Sequence, residues 1–142
     1  MKKTYSTNLN LPSIDLALFI FRIGAASLML THGIPKLVML FGSGEIQFAN
    51  PLGLGVETSL ALSVFAEVIC AILILLGLAS RLAAIPLIIN MMVAFFIFHA
   101  QDPFRTKELA LVFLLIFITL LITGSGKYSL DHYLLKMKRK SN

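Results

Sequence analysis

Charged side chains are scarce in this chain of 142 residues: they make up 13% of the sequence, against 58% hydrophobic residues. Soluble domains carry about 25% charged residues. The balance therefore excludes an ordinary soluble domain and indicates a membrane protein in contact with the lipid bilayer. In such a protein the net charge of +5 does not indicate a nucleic-acid partner. It bears instead on which ends of the spans face the cytoplasm.

Cysteine is almost absent, since Cys70 is the single one. This count excludes an intramolecular disulfide and a CxxC pair. A cleavable signal peptide is also not expected, although Lys2 and Lys3 precede an apolar run. Arg22 interrupts that run and no clear small-residue cleavage site follows it, so we interpret the segment as a retained first span.

Four apolar segments are long enough to be considered as membrane spans. They lie at about 14–31, 58–78, 82–99 and 108–123. A transmembrane helix needs about 20 residues, with about 17 as a lower limit. Charge is nearly absent across all four segments, which argues against the core helices of a soluble bundle. We predict an all-α fold, a four-transmembrane-helix bundle in one domain over residues 1–142.

The distribution of basic residues predicts the orientation and a short fifth helix. Lys2 and Lys3 precede the first span, Arg81 lies between the second and third, and several lysines follow the fourth. The positive-inside rule then places both termini in the cytoplasm. The tail over 129–140 is predicted to be a short C-terminal amphipathic helix on anionic headgroups, either a solubilising and orienting tail or a specific lipid contact.

Two ionisable residues lie within spans. Counting 1.5 Å per residue from the predicted ends places Arg22 and Glu67 near the same depth, close to the midplane. Charged residues in a span usually face the bundle interior or a cavity. We therefore expect Arg22 and Glu67 to form an ion pair, either to set the helix register or to form the polar floor of a ligand site.

Three further ionisable residues are expected at the outer ends of the spans. His32, His99 and Glu108 lie on three different helices at that level, which predicts that they converge. Gly33 and Pro35 are expected to break the first helix there and to free backbone groups for a cavity. The sequence therefore predicts a polar outer pocket.

The third span combines an amide with a cluster of rings. Asn90 and His99 are nine residues apart, hence on opposite faces of an ideal helix, so Asn90 is expected to serve a helix contact rather than the His99 pocket. Phe95, Phe96 and Phe98 lie just below His99. They form either a slot for a flat ring such as a quinone or ordinary apolar packing.

Metal chemistry stays open as an alternative at the same residues, although the predicted site includes no metal. Two histidines and a carboxylate are ligands for iron or zinc. A haem held between His32 and His99 is a second alternative. The short glycine turns at 42–44 and 53–55 lack the strand–helix context of a nucleotide site.

The ordered set of motifs resembles the DoxX family of small four-helix membrane proteins. In chain order, the matching pieces are Arg22, "HGIPK" at 32–36, "PLGLG" at 51–55, Glu67, "LLGLASR" at 75–81, "MMVAFFIFH" at 91–99, Glu108 and "GSGKYSLD" at 124–131. The resemblance covers nearly the whole chain after residue 14. It implies a four-helix bundle in the bacterial cell (inner) membrane and an association with quinone-linked chemistry and redox stress.

We therefore hypothesise a quinone-linked redox subunit, an oxidoreductase component that works with a soluble redox partner or a second subunit. His32, His99 and Glu108 are the predicted catalytic residues, binding quinone oxygens or exchanging protons. The predicted substrate-binding residues are Arg22, Lys36 and Glu67. Quinone is a candidate cofactor, and any other cofactor and the residues that would bind it stay open. The alternative is a non-enzymatic membrane scaffold, assembly factor or small-solute carrier, so whether the chain is an enzyme stays open.

Overall fold

The computed structural model describes residues 10–141. The described part contains four long helices and one short one. These are α1 (Leu11–Phe41), α2 (Val56–Leu76), α3 (Ser80–Phe98), α4 (Phe104–Thr123) and α5 (Leu130–Ser141). All four long helices are apolar enough to cross a membrane, and α5 is amphipathic with a basic face. The predicted all-α, four-span fold with a short C-terminal helix is confirmed.

The distribution of apolar side chains in the bundle is typical of a membrane protein. Its interior is small and close-packed, with Ala26, Ala71 and Ala84 fully buried beside Leu87 and Phe117. Large apolar side chains cover the outer surface of every span instead. In water such a surface would be strongly unfavourable, whereas among lipid chains it costs nothing.

The first helix does not break where the sequence suggested. It continues through Gly33 and Pro35 as far as Phe41, so the predicted turn at "HGIPK" is wrong. Proline inside a transmembrane helix is tolerated because neighbouring elements compensate for the missing N–H. Here Leu37 and Leu40, two and five residues beyond the proline, pack on α2 residues and hold the last turns in place.

Depth in the bundle follows from how α1 lies against α2. Gly33 packs on Glu67, and Arg22 contacts the last turn of α2. Glu67 is one residue from the midpoint of α2, and Asn90 one residue from the midpoint of α3. The midplane therefore passes near Gly33, Glu67 and Asn90. We call the end with both described termini the terminal end, and the end with the α1–α2 and α3–α4 connections the loop end.

Two of the spans contain π-helical segments. One is Phe65–Cys70 in the middle of α2, and the other is Ala94–Phe98 at the loop end of α3. Such segments are rare and occur frequently at functional sites, because they shift side chains out of the regular α-helical register. Both segments contribute residues to the cavity described below.

Arg22 does not pair with Glu67, so that prediction is wrong. Its guanidinium lies at the terminal end, where Nη1 donates to the carbonyls of Ile74 at 2.9 Å and Leu75 at 3.2 Å, and Nη2 donates to the carbonyl of Tyr128 at 2.7 Å. Arg22 thereby caps α2 and ties it to the segment before α5. The sequence placed Arg22 too deep in the membrane because its depth was counted from residue 14. The part of α1 that faces α2 begins only near Arg22.

Both described termini lie at the same end of the bundle. Asp15, in the first turns of α1, accepts the backbone N–H of Lys127 at 3.1 Å. Asp131 of α5 donates its backbone N–H to Gly77 and accepts the N–H of Ala79 at 2.9 Å. Lys2 and Lys3, on which the orientation prediction partly rests, lie outside the described residues.

Replacing Arg22 with methionine is expected to destabilise the bundle. Three carbonyls, of Ile74, Leu75 and Tyr128, would lose their donor, and bonds from a charged donor are each worth about 1.5–3 kcal/mol. We expect the free energy of unfolding in detergent to fall by about 2–4 kcal/mol. Arg105→Met, at an exposed position, is the control, expected to change it by less than about 0.5 kcal/mol. Equal effects of the two substitutions would contradict the capping role.

Candidate functional site

A hydrogen-bonded group of polar side chains lies at mid-depth around Glu67. The Glu67 side chain is 3% exposed, and its Oε1 accepts both from Lys36 Nζ at 2.5 Å and from Asn90 Nδ2 at 2.7 Å. Asn90 in turn accepts from the Ser63 hydroxyl at 3.3 Å. The group joins α1, α2 and α3. A buried carboxylate is tolerated in such a place only when it is paired and hydrogen-bonded.

The other Glu67 oxygen is left without a partner. Oε2 is buried and accepts no hydrogen bond from any residue between 10 and 141. Lys36, by contrast, is 28% exposed on its side chain, and its ammonium carries three donors. The group therefore contains one unfilled acceptor, and Lys36, which lines the cavity described next, has spare donors.

Close contact between α1 and α2 makes the Lys36–Glu67 pair possible. A Cβ atom on Gly33 would lie 2.7 Å from the Glu67 carbonyl oxygen and 2.8 Å from Cγ2 of Val68. The helices therefore touch backbone to backbone at this point, as small residues permit in membrane bundles. Lys36 follows one turn later and reaches Glu67 across this contact. The "HGIPK" motif thus contains a helix contact and an ammonium partner, not a turn.

A cavity of about 590 Å³ adjoins this polar group. Ligand pockets are usually about 300–1,000 Å³, mostly apolar and with a few polar groups. The polar end is formed by Lys36, Glu67 and Asn90, and the connection between α1 and α2 covers the loop end. The remaining wall is mainly apolar, from Phe48, Pro51, Leu52, Leu54, Leu62, Phe65, Pro86, Ile89, Val93, Ala94 and Phe98.

The cavity reaches the lipid-facing surface of the bundle. Leu62, Phe65 and Phe98 line it and are each about half exposed on the outside of α2 and α3. Leu62 and Phe65 lie within the apolar part of α2, so the opening between the helices lies at the depth of lipid chains. A molecule dissolved in the bilayer would reach the polar end without passing through water.

The α1–α2 connection is held over the cavity by a turn. Asn50 Oδ1 accepts the backbone N–H of Gly55 at 3.1 Å and the Ser59 hydroxyl at 3.2 Å. Phe48 places its ring 5.7 Å from Lys36 Nζ, a cation–π contact. From the "PLGLG" segment that follows Asn50, Pro51, Leu52 and Leu54 line the cavity.

His99 lines the same cavity near the loop end. Its Nδ1 lies 2.6 Å from Oδ2 of Asp102 in the α3–α4 turn. The expectation that Asn90 and His99 point to different places is wrong, because both line this cavity. The reason is the π-helical segment Ala94–Phe98 between them. Its i→i+5 bonds place more residues in each turn and rotate His99 back toward Asn90.

The structure brings together only some of the residues predicted for a site. Lys36, Glu67 and His99 share the cavity, whereas Arg22, His32 and Glu108 do not line it. His32 is exposed on α1 and sets its ring edge against Phe113 of α4, with centroids 5.8 Å apart. The predicted convergence of His32, His99 and Glu108 is therefore wrong.

The residues considered as ligands of a metal site are likewise separated. Within residues 10–141 no group of three or more His, Cys, Asp or Glu side chains lies close enough to hold a metal ion. Glu108 is exposed near the start of α4, and His99 is engaged by Asp102. The structure therefore gives no geometric support to a metal site built from His32, His99 and Glu108.

The expected helix contact of Asn90 is confirmed by its hydrogen bonds to Ser63 and Glu67 of α2. Sequence reasoning missed the place of Asn90 in the cavity and the wall formed by the α1–α2 connection. A usable signal existed for Asn90, since it lies as close to the midpoint of its span as Glu67 does. Ser63 lies one turn before Glu67, on the polar face of α2. No signal in the sequence indicated that residues 47–54 fold over the cavity.

Fold and site together define a class: a small four-helix membrane protein with a buried, lysine-paired carboxylate at the end of a lipid-open cavity. The DoxX family profile matches residues 17–100, and the chain belongs to this family. It is 26% identical over 131 residues to the "Putative oxidoreductase CatD" of Bacillus subtilis (strain 168), covering 92% of this chain and 96% of that relative. No solved structure matches the chain.

Two glycines of α1 provide a matched pair of substitutions. Gly33→Ala would place a methyl group against the Glu67 backbone, whereas a Cβ at Gly24 meets no atom within 4 Å. We expect Gly33→Ala to lower the free energy of unfolding by about 1–3 kcal/mol, as overpacking does. Gly24→Ala should leave it unchanged or raise it by up to about 1 kcal/mol through helix propensity. Chemical unfolding in detergent measures both, and a neutral Gly33→Ala would contradict the backbone contact.

Proposed function

We propose that this protein binds a quinone in the cavity between α2 and α3 and is the quinone-linked membrane component of an oxidoreductase. The observation that carries the proposal is Glu67, a buried carboxylate with one unpartnered oxygen at the end of an apolar, lipid-open cavity. A lipid-soluble ring with a polar edge matches both properties. Its apolar part would pack against the wall residues, and its oxygens would form hydrogen bonds at the polar end.

The polar end suits both oxidation states of such a ligand. The spare donors of Lys36 would bind a ring carbonyl, and the free oxygen of Glu67 would accept from a ring hydroxyl. Because Asn90 and Lys36 already share Oε1, the position of the carboxylate is fixed before a ligand arrives. Such preorganisation lowers the cost of binding.

His99 is proposed as the group that exchanges protons with the loop end. Asp102 accepts from Nδ1, so in the neutral ring Nε2 keeps its lone pair and is able to take a proton. Nine residues separate His99 from Asn90, roughly 13 Å along a helix. His99 and Glu67 are therefore too far apart to hold the same ring oxygen, and His99 would act between the cavity and the surface.

Bound quinone would supply two-electron acceptor chemistry, while the chain itself provides binding, orientation and proton exchange. We propose that electrons come from a soluble redox partner or a second subunit. The relative named an oxidoreductase supports a redox role. The terminal end has an excess of basic groups, which favours a cytoplasmic location for it in a bacterial cell (inner) membrane. The exposed basic residues described there are Arg81, Lys127, Lys136, Lys138 and Arg139.

Direct binding of short-chain ubiquinone and menaquinone to the purified protein in nanodiscs tests the proposal. We expect saturable binding to the wild type, about tenfold weaker in Glu67→Gln, the loss expected when one charged hydrogen bond is removed. Glu57→Gln, at an exposed position in the first turn of α2, is the matched control and should bind like the wild type.

A second variant guards against a folding defect in Glu67→Gln. Ala94 lies on the cavity wall one helical turn beyond Asn90, so Ala94→Leu should weaken binding by filling space while Glu67 and Lys36 stay paired. Wild-type protein that binds neither quinone and carries none after purification would contradict the proposal. A scaffold, assembly factor or small-solute carrier would then be the better account.

A further inference from the structure

A second cleft lies at the terminal end, far from the Glu67 cavity. It measures about 560 Å³ and opens between the first turn of α3, the turn after α4 and one face of α5. Residues from all three elements line it, including Ser80 and Arg81 of α3, Gly124 of the turn, and Leu134 and Lys138 of α5. Nothing in the quinone-linked role requires this cleft.

The cleft has a net positive charge. Arg81 and Lys138 line it together with one acid, Asp131. Both oxygens of Asp131 are engaged within the chain, Oδ1 by the N–H of Ala79 at 2.9 Å and Oδ2 by the Ser125 hydroxyl at 3.2 Å. Arg81 is less occupied, since it donates one bond, from Nη2 to the carbonyl of Ile122 at 3.1 Å. A guanidinium has five donors, in a fork that matches phosphate oxygens.

The start of α3 adds unfilled donors to the same place. The first intrahelical bond of α3 is from the N–H of Ala83 to the carbonyl of Ala79. The N–H groups of Ser80, Arg81 and Leu82 therefore come before the helical ladder, and a helix N-terminus favours anions. Independently, Ser80 lines the cleft, is 1% exposed and has a buried hydroxyl with no hydrogen-bond partner within residues 10–141.

The location of the cleft identifies the kind of anion. α3 begins at Ser80 and α4 ends at Thr123, so the cleft lies where these spans leave the apolar layer, at headgroup level. Apolar side chains flank it on the outside, with Leu82 at 70%, Leu134 at 50% and Leu135 at 61% exposure. A ligand here would meet basic groups and N–H donors on one side and apolar surface on the other.

We propose that this cleft binds the headgroup of an anionic phospholipid. Arg81, Lys138 and the first turn of α3 would hold the phosphate, and the acyl chains would lie over Leu82 and the leucines of α5. The short C-terminal helix would then serve as one wall of a lipid site as well as an interfacial anchor.

Lipid retained by the whole protein tests this proposal. The protein is reconstituted in phosphatidylcholine vesicles with or without phosphatidylglycerol, released in mild detergent, and bound lipid is counted by native mass spectrometry. We expect one retained phosphatidylglycerol and no matching phosphatidylcholine. Arg81→Gln/Lys138→Gln should weaken retention about thirtyfold, since each basic group near anionic headgroups contributes about a factor of five.

The matched control removes the same charge from α5 outside the cleft. Lys136→Gln/Arg139→Gln should keep the bound lipid, and an equal loss in both double variants would overturn the proposal in favour of general surface attraction. Lys138→Gln alone, whose side chain makes no hydrogen bond within the described structure, should weaken retention even if the Arg81 change impairs folding. Displacement of the lipid by inorganic phosphate alone at equal concentration would identify a free phosphate site and also overturn it.

Discussion

A carboxylate buried at the middle of a membrane protein is the constraint around which this molecule is arranged. Glu67 is nearly inaccessible, and an unpaired charge at that depth would be strongly unfavourable. The chain meets this cost with an ammonium from α1 and an amide from α3 on the same oxygen. Three helices are thereby fixed relative to one another at one point, and the contact at Gly33 brings α1 near enough for Lys36 to reach.

The same arrangement leaves one hydrogen-bond acceptor of Glu67 unfilled. Because both protein donors go to Oε1, Oε2 has no partner, and a buried acceptor in this state costs about 1–3 kcal/mol until something donates to it. The cavity beside this oxygen is apolar and open toward lipid. A ligand that donates to the oxygen is therefore expected to be a largely apolar, lipid-soluble molecule. The two ends of the bundle thus differ: the cavity extends toward the loop end, while Arg22 ties the helix ends together at the terminal end.

The sequence predicted the spans and the polar residues better than their partners. Scarce charge in four long segments was enough for the fold, and Lys36 and Glu67, both predicted as site residues, line one cavity. Their pairing was missed because depth was counted from residue 14, whereas α1 faces α2 only from about Arg22. Thus Arg22 was placed at the midplane, and Lys36 fell beyond the predicted end of the first span. The sequence gives only a weak signal for the end of a helix where apolar residues continue beyond the bilayer.

Local deviations from helix geometry account for the remaining differences. A π-helical segment between Asn90 and His99 brings both side chains to one cavity, although ideal α-helical spacing places them on opposite faces. Pro35 lies inside a helix because packing on α2 outweighs its usual tendency to end one. The fold of the α1–α2 connection over the cavity depends on Asn50 and on tertiary contacts, which no local pattern reveals.

Infrared difference spectroscopy of the Glu67 carboxylate on quinone addition tests the central claim most directly. We expect ligand binding to perturb a carboxylate stretching band, Glu67→Gln to abolish this change, and Glu57→Gln to preserve it. Quinone binding with no change in any carboxylate band, or with the same change in Glu67→Gln, would contradict the claim that this buried carboxylate is the polar contact of the site.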